Sequence, residues 1–307
     1  DVGLGSSDSA VYAGPATRRL ARELGVQLSQ VQGSGARHRV TKDDLKAFVK
    51  SQLSGASESK AKGVIPAVPE VDFARFGEIE VQLMTRIQRQ VAVNMHRSWL
   101  NVPHVTQHSQ ADIQELDQFR KALADQAKEQ GLRLTPLPFI VSACCAQLQR
   151  QPQFNSSLAA GGEHLVKKSY INVGIAVATP DGLVVPVIRA ADQMGIWQLA
   201  KAIDDIAAKA RNKKLGLSDL SGGTFTVSSL GNLGGTGFTP IVNTPEVAIL
   251  GVGRASMEPV WQGDELVPNL HLPLCLSYDH RVINGVDGGE FIQGVARTLA
   301  DASSMAL

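Results

Sequence analysis

A stretch of small and polar residues divides this chain and limits what it can fold into. Residues 51–70, SQLSGASESKAKGVIPAVPE, are rich in Ser, Ala, Gly, Lys and Pro and carry no periodic apolar pattern. Such a composition is typical of a flexible linker and not of a packed element. The chain of 307 residues is therefore predicted to contain a small module before this linker and a larger domain after it.

The residues before this linker predict a small helical module. Residues 1–10 are small and polar and indicate a further linker, which leaves residues 11–50 for the module. Thr17–Leu24 can form a short helix ended by Gly25, and Thr41 precedes acidic residues as the N-cap of a second helix does. A module of roughly forty residues is near the lower limit for independent folding.

The domain over residues 71–307 mixes helices and strands without a regular alternation, which predicts an α+β fold with a mixed sheet. Its apolar patterns predict helices over Thr85–Trp99, Asp112–Lys128, Pro136–Gln149, Gly195–Lys214 and Asp287–Leu299. Strands are predicted over Ile171–Ala178, Leu183–Ile188, Thr224–Ser228, Val247–Val252 and Leu272–Tyr278.

Composition argues against several classes of function. The formal net charge of +1 gives the whole chain no nucleic-acid footprint. Residues 1–62 hold ten Lys or Arg against six Asp or Glu, so charge alone leaves nucleic-acid binding open for the small module, which has no aromatic platform. No signal peptide or apolar run of membrane-spanning length is recognised. Three cysteines without metal-binding spacing predict buried thiols in a reducing compartment and no metal site.

The segment Ser277–Gly285 is the first candidate for chemistry. An apolar strand ends in Asp279 and His280, and a turn with Asn284 follows. A histidine at a strand end is suited to proton transfer because its pKa lies near neutrality. Asp279 is not expected to orient it, since neighbours along a strand point to opposite faces. From the residues alone, a structural histidine, an ordinary ion pair between Asp279 and Arg281 and a plain turn remain alternatives.

The second candidate is a strand that leads two serines into a glycine-rich loop, at residues 225–237. Such a loop lets the backbone approach a ligand closely, and a hydroxyl group such as that of Ser228 can stabilise an oxyanion. A flexible hairpin loop is the alternative. The segment is not a phosphate loop, because it has no Gly-Lys-Ser/Thr ending and no following helix.

These segments together resemble the acyltransferases of 2-oxo acid dehydrogenase complexes, whose fold is like that of chloramphenicol acetyltransferase. DHRVING at 279–285 is similar to the Asp-His-Arg-x-x-Asp-Gly signature of that family. Further matching pieces are SWLNVPHVTQ at 98–107, TPDGLVVPVIR at 179–189, FTVSSLGNLGGTGFTPIVN at 225–243 and PEVAILGV at 245–252. The pattern SSLGNLGGT followed by TPIVNTPEVAILG is similar to the members that transfer acetyl groups in pyruvate complexes.

The resemblance implies transfer of acetyl from acetyl-dihydrolipoamide to coenzyme A without a metal. In that reaction His280 is the general base, Ser228 donates to the oxyanion, and Asn284 holds the local geometry. The resemblance also implies trimers with the active site between subunits, so that Ser228 and His280 come from neighbouring chains. Family members assemble trimers into large hollow cores, and an octahedral core of 24 subunits is expected here.

The small module resembles the peripheral-subunit-binding domain of the same proteins through AGPATRRLARELGVQLSQVQGSGARHRVTKDDL. This implies binding of the pyruvate decarboxylase component or of dihydrolipoyl dehydrogenase, with Arg18, Arg19 and Arg22 pairing with acidic patches on the partner. The alternative is that these arginines are solvated helix charges.

Three departures from the family pattern stand out. Asn284 replaces the usual Asp, so a charged group there is not expected to be essential. His38 lies where Gly is common, so an altered turn is expected. No lipoyl domain is recognised, and because the chain begins with Asp we expect a fragment whose lipoyl domains, with their lipoyl groups, lie upstream.

Other functions remain to be weighed. Succinyl or branched-chain acyl groups would need a different pocket, and a noncatalytic organiser of subunits would not need both His280 and Ser228. A free-standing antibiotic acetyltransferase would have neither binding module nor linker. Location in the bacterial cytoplasm is expected, with the mitochondrial matrix as the eukaryotic alternative.

Overall fold

The computed structural model describes residues 11–55 and 68–301, with side chains except at residues 51–55 and 232. The predicted linker over residues 1–10 and the middle of the second one, residues 56–67, lie outside the described residues. The chain divides into two compact units, Asp1–Val81 and Gln82–Leu307.

The first unit contains helices α1 (Pro15–Glu23) and α2 (Lys42–Gly55). Gly25 ends α1 at a φ of 67°, in the left-handed region that favours glycine. Thr41 is the N-cap of α2, since its hydroxyl oxygen accepts a hydrogen bond from the Asp44 N–H at 3.2 Å. Both predicted helices are therefore present, but α2 continues to Gly55, so the first five residues of the predicted linker 51–70 are helical. A small apolar core lies between the helices and contains Ala21, Leu28, Val31, Val40 and Leu45.

The second unit contains the remaining helices and all the named strands of the described residues. The helices are α3 (Arg86–Asn101), α4 (Gln114–Ala122), α5 (Ala124–Glu129), α6 (Leu137–Arg150), α7 (Ile196–Arg211) and α8 (Gly285–Ala300). The strands are β1 (His104–Asp112), β2 (Ser156–Leu158), β3 (Leu165–Lys167), β4 (Val173–Ile175), β5 (Val177–Thr179), β6 (Gly182–Val184), β7 (Val187–Ile188), β8 (Phe225–Ser229), β9 (Ala248–Val252), β10 (Ser256–Gln262) and β11 (Glu265–Asp279).

The main sheet has the order β1-β11-β9-β8-β4-β7, and β10 pairs with the first part of β11. The pairs β4–β8 and β8–β9 are parallel, whereas β1–β11, β9–β11 and β4–β7 are antiparallel. Two hairpins, β2–β3 and β5–β6, stand outside this sheet. The predicted α+β fold with a mixed sheet is confirmed.

The two faces of the central strands differ in character. Val227, Leu250 and Leu276 lie side by side on β8, β9 and β11 and join the main apolar core, to which α6, α7 and α8 contribute. Ser228 and Cys275 are neighbours of these residues along their strands, so they point to the opposite face. That opposite face carries the candidate catalytic serine.

The predicted helix over Asp112–Lys128 is wrong in its start and its continuity. Asp112 is the last residue of β1, where it pairs with His271 of β11. Leu123 then has a ψ of 3° and separates α4 from α5. Apolar periodicity did not reveal either feature, because the first depends on sheet pairing and the second on the backbone at one buried residue.

The predicted strands Ile171–Ala178 and Leu183–Ile188 are each split in two. The tight turn at residues 179–182 does join β5 and β6, but β4 and β7 belong to the main sheet. Pro186 lies between β6 and β7 and has no N–H to donate to a ladder, which explains one interruption. The sequence analysis predicted no strand at the positions of β1, β2, β3 and β10.

Candidate active site

His280 directly follows the last residue of β11. Its backbone N–H donates to the Pro103 carbonyl oxygen at 3.1 Å, just before β1, and its side chain is exposed. Neither ring nitrogen has a hydrogen-bond partner within residues 11–55 and 68–301. The ring is therefore accessible to a substrate while its backbone is held between two strands.

Asp279 and Arg281, on either side of His280, bind each other. The buried Asp279 carboxylate accepts from the Arg281 backbone N–H at 3.0 Å and from the guanidinium at 2.6 and 2.9 Å. The ion pair expected as an alternative is present. Asp279 is thus unavailable to orient the imidazole, and the pair fixes the backbone on both sides of His280.

Asn284 is the N-cap of α8. Its side-chain oxygen accepts hydrogen bonds from the N–H groups of Val286 and Asp287, each at 2.9 Å. An amide oxygen satisfies these donors as a carboxylate oxygen does, so the start of the helix does not require Asp. The residue keeps the turn after His280 in place.

Ser228 lies near the end of β8, half-buried. It is opposite Gly251 of β9, which is opposite Cys275 of β11, which in turn is opposite His108 of β1. The hydroxyl of Ser228 has no hydrogen-bond partner in the described part of the chain, so its proton is available to a ligand.

One chain does not bring Ser228 and His280 together. Ser228 is two strands away from Cys275, or about 10 Å, and His280 is five residues further along β11, or about 16 Å. Their Cα atoms are therefore roughly 19 Å apart, by strand spacing and rise. No single small group can touch both side chains in one subunit.

The glycine-rich loop after Ser228 folds onto the same face of the sheet. The Phe238 ring covers Gly251, where a Cβ atom would lie 2.7 Å from it, and the Phe238 N–H donates to the Cys275 sulfur at 3.4 Å. Gly237 leaves room for Cys275 and for His108, whose Nδ1 lies 3.2 Å from that sulfur. Burial raises the pKa of the Cys275 thiol. These contacts hold the loop beside Ser228.

Sequence reasoning missed Glu246, a buried carboxyl group that contacts Thr226, two residues before the serine on β8. One of its oxygens accepts from the Thr226 hydroxyl at 2.6 Å and the other from the Asn243 amide at 3.1 Å. Burial raises the pKa of Glu246 to about 7, against the opposing effects of these two bonds and of Lys168. Only the long-range pairing of β8 and β9 brings these groups together, so no local signal marked it.

A cavity of about 430 Å³ opens near Asn243. It is lined by residues of α3, of the β5–β6 hairpin and of the segment after α7. Its lining is mostly apolar, and Asp181 and Lys213 form an ion pair among the lining residues. The cavity is large enough for part of an elongated ligand.

The remaining features of the described residues concern thiols, metals and membranes. Cys144, Cys145 and Cys275 are free and buried, as predicted. Within residues 11–55 and 68–301, no three His, Cys, Asp or Glu side chains cluster as metal ligands would. No helix in these residues is long and apolar enough to cross a membrane.

The three arginines of the small module differ in their surroundings. The half-buried Arg18 donates to the backbone oxygens of Val11 and Ala13, so it supports the module itself. Arg19 is exposed and pairs with Glu23 at 3.0 Å, and Arg22 is exposed. The structure therefore leaves Arg19 and Arg22 at the surface and engages Arg18 within the fold.

Elsewhere in this module, His38 has a φ of 58°, in the left-handed region that glycine favours. The backbone at His38 thus has the conformation expected of a position where the resembled domain commonly has Gly.

Known proteins match both units. A family model described as the 2-oxoacid dehydrogenases acyltransferase catalytic domain matches residues 76–307, and one described as an e3 binding domain matches residues 11–46. The chain belongs to the 2-oxoacid dehydrogenase acyltransferase family. This confirms the resemblance drawn from the DHRVING motif and from the N-terminal module.

Two curated relatives are dihydrolipoyllysine-residue acetyltransferase components of pyruvate dehydrogenase complexes. The protein of Pseudomonas aeruginosa is 52% identical over 301 residues, which are 97% of this chain and 55% of the relative. The protein of Azotobacter vinelandii is 52% identical over 302 residues, which are 97% of this chain and 47% of the relative. The chain thus spans about half the length of the curated relatives it matches.

Solved structures also match a large part of this chain. The Azotobacter vinelandii dihydrolipoamide acetyltransferase and a cubic core of the pyruvate dehydrogenase multienzyme complex each have a TM-score of 0.77 and 55% identity. Each match covers 78% of this chain and 99% of the solved chain. This chain therefore matches nearly the whole of each solved chain.

Proposed function

We propose that residues 71–307 transfer an acetyl group from acetyl-dihydrolipoamide to coenzyme A, as the catalytic domain of a dihydrolipoyllysine-residue acetyltransferase in a pyruvate dehydrogenase complex. One observation carries this proposal. The Azotobacter vinelandii structure was studied for the role of a serine, a histidine and an asparagine that are 52 and 4 positions apart. Ser228, His280 and Asn284 have the same spacings. The asparagine is thus shared with that acetyltransferase.

The exposed imidazole of His280 acts as the general base. The thiol of coenzyme A is mostly protonated at neutral pH, and only its thiolate is a good nucleophile. His280 takes the thiol proton as sulfur attacks the thioester carbonyl carbon. When the tetrahedral intermediate collapses, the dihydrolipoamide sulfur leaves with the bonding electrons and takes the proton from the imidazolium. Asn284 preserves the turn that presents His280.

Ser228 donates its hydroxyl proton to the oxyanion of the tetrahedral intermediate. Its hydroxyl has no partner in the described residues and lies beside a loop fixed by Phe238 and Cys275. Loss of one such donor typically costs about 3 kcal/mol in the transition state. Ser228 forms no acyl-enzyme, so the arrangement differs from a serine-hydrolase triad.

The active site lies between subunits of a trimer, with Ser228 from one chain and His280 from its neighbour. The separation of roughly 19 Å within one chain supports this, because one bond-forming centre cannot reach both groups. The cubic core formed by a protein 55% identical to this one supports assembly of such trimers into an octahedral core of 24 subunits. The mostly apolar cavity near Asn243 is a candidate for part of the substrate channel.

Residues 11–50 form the module that binds dihydrolipoyl dehydrogenase or the pyruvate decarboxylase component. The match to an e3 binding domain and the exposed Arg19 and Arg22 support this role. Residues 56–70, which follow the end of α2, link this module to the catalytic domain. The bacterial relatives support a place in the bacterial cytoplasm.

The test is acetyl transfer between acetyl-CoA and free dihydrolipoamide by native chain, His280→Ala, Ser228→Ala and a co-assembled mixture of the two variants. Each variant alone should lose orders of magnitude in kcat. In trimers formed at random from equal amounts, about one quarter of the sites combine an intact serine and an intact histidine. The mixture should therefore regain about one quarter of the native activity. An inactive native chain refutes the reaction, and a mixture no better than its parts refutes the shared site.

A further inference from the structure

Glu246 occupies a buried junction that the proposed mechanism does not use. It is 4% exposed, and its two carboxyl oxygens bind Thr226 and Asn243. Gly223 makes room for it, since a Cβ atom at that position would lie 2.9 Å from a Glu246 oxygen. The carboxyl group is therefore enclosed by two donors and by backbone.

Glu246 contacts the strand that carries Ser228, the candidate oxyanion donor. Thr226 precedes Ser228 by two residues on β8, so both side chains lie on the same face of the sheet. The Glu246 carboxyl group fixes the Thr226 hydroxyl at 2.6 Å. A movement of this carboxyl group would therefore displace β8 directly beside Ser228.

The segment that contains Glu246 also contacts the strand ends beside His280, the candidate base. The carbonyl oxygen of Val247, the residue after Glu246, accepts from the Asp279 N–H at 2.8 Å. Val242 donates to His104 Nε2 at 3.0 Å, and the Pro103 oxygen beside that histidine accepts from the His280 N–H. The segment 242–247 thus supports the strand ends that hold His280.

The charged group that acts on Glu246 is Lys168, which follows β3. Its ammonium group donates to the Ser156 carbonyl oxygen at 3.0 Å and to the Ser157 hydroxyl at 2.7 Å. Ser157 in turn donates to the Pro245 carbonyl oxygen, in the same segment as Glu246. The positive charge favours the ionised carboxylate, whereas burial opposes it.

We propose that Glu246 is a positioning residue for acyl transfer, whose ionised carboxylate holds both β8 beside Ser228 and the strand ends that carry His280. Two N–H or O–H donors point at the carboxylate, and a proton on it would compete with them. The inference rests on the proposed function. Since Ser228 and His280 of one chain serve different sites of the trimer, each Glu246 supports two neighbouring sites.

The test compares the pH dependence of kcat/KM for acetyl transfer in the native chain, Glu246→Gln and the control Glu163→Gln, an exposed glutamate between β2 and β3. His280 must be unprotonated to act as the base, and the inference requires Glu246 to be ionised for full activity. Burial raises the pKa of Glu246 to about 7, so its titration falls within the range of the assay. Protonated Glu246, like glutamine, should keep about one tenth of the activity, so just below neutrality the native logarithmic profile should be steeper than that of Glu246→Gln by up to about one half of a unit of slope. Glu163→Gln should follow the native profile.

The test also measures the size of the change in kcat and KM and the formation of trimers. Glu246→Gln should lower kcat about tenfold at pH 8 and change KM less than about twofold, since the residue touches no substrate. Thr226→Val, which removes only the hydroxyl donor, should lower kcat similarly, and the double variant should lose no more than either one. Trimer formation is verified for each variant.

An active native chain whose Glu246→Gln variant keeps the native slope, with or without lower kcat, overturns this inference alone. A native chain that transfers no acetyl group overturns the proposed function.

Discussion

Glu246 should make the stability of the second unit depend on pH, and Glu246→Gln should remove that dependence. The carboxyl group is enclosed in the folded chain and exposed to water in the unfolded chain, and burial raises its pKa from 4.5 to about 7. A glutamine has nearly the same shape and no charge at any pH. The substitution therefore removes the titration of this group and changes its shape very little.

The size of the effect follows from proton linkage. Between pH 4.5 and about 7 the folded chain keeps a proton that the unfolded chain has lost, so stability falls as pH rises through this range. Each pKa unit is worth about 1.4 kcal/mol, which makes the loss about 3 kcal/mol above pH 7. Below pH 4.5 the contribution is fully retained. Glu246→Gln should therefore match the native chain at low pH and exceed its stability by about 3 kcal/mol at pH 8.

Urea unfolding followed by tryptophan fluorescence reports on this unit, because Trp99, Trp197 and Trp261 all lie in it. Native chain, Glu246→Gln and Glu163→Gln are compared at equal subunit concentration, at about pH 5 and pH 8. The difference between Glu246→Gln and native chain should grow between the two pH values, while that of Glu163→Gln stays constant. Parallel curves for all three proteins would show that the carboxyl group carries no buried charge and would refute the reasoning.

Substitutions at four other positions have expected outcomes. Ser228→Ala should lower kcat by about a hundredfold to a thousandfold and leave thermal unfolding unchanged, as enzyme assay and calorimetry can check, because its hydroxyl has no partner in the described residues. Asn284→Ala should lower stability by about 1 kcal/mol in urea unfolding through loss of the α8 cap, whereas Asn284→Asp should restore it. Arg22→Glu should weaken binding of dihydrolipoyl dehydrogenase in calorimetric titration without unfolding the small module, whereas Arg18→Ala should lower the melting temperature of that module.

Local chemistry predicted the parts of the fold that depend on a few neighbouring residues. Thr41 begins α2 and Gly25 ends α1 as expected. The helix predicted from Thr85 is also present, and Thr85 caps it through a hydrogen bond from the Gln88 N–H. These signals act over three or four positions and need no tertiary contact. The order of strands depends on pairing across the sheet, so periodicity alone did not give it, whereas the break at Pro186 follows from the missing N–H of proline.

Strand β1 shows why some elements had no readable pattern. Its sequence HVTQHSQAD is polar at most positions, and polar side chains face both sides of the sheet. Thr106 bonds to Ser277 at 2.7 Å on one side, and Gln107 bonds to the carbonyl oxygen of Gly285 at 2.9 Å on the other. A strand stabilised by such cross-strand and strand-to-helix hydrogen bonds lacks the alternation of apolar and polar residues on which prediction relies.

The sequence revealed the catalytic candidates Ser228 and His280 but did not reveal Glu246. Ser228 and His280 stand at strand ends next to glycine-rich or turn residues, where function is visible in the chain itself. Glu246 follows a proline and precedes an ordinary apolar strand, and a glutamate there suggests only a surface residue. Its burial arises because β8 and β9 pair in parallel, which encloses the side chain between Thr226 and Asn243. A group kept in the interior despite its raised pKa lowers stability at neutral pH. The strands that it contacts, directly or through the residue after it, are the ones that carry both halves of the proposed site.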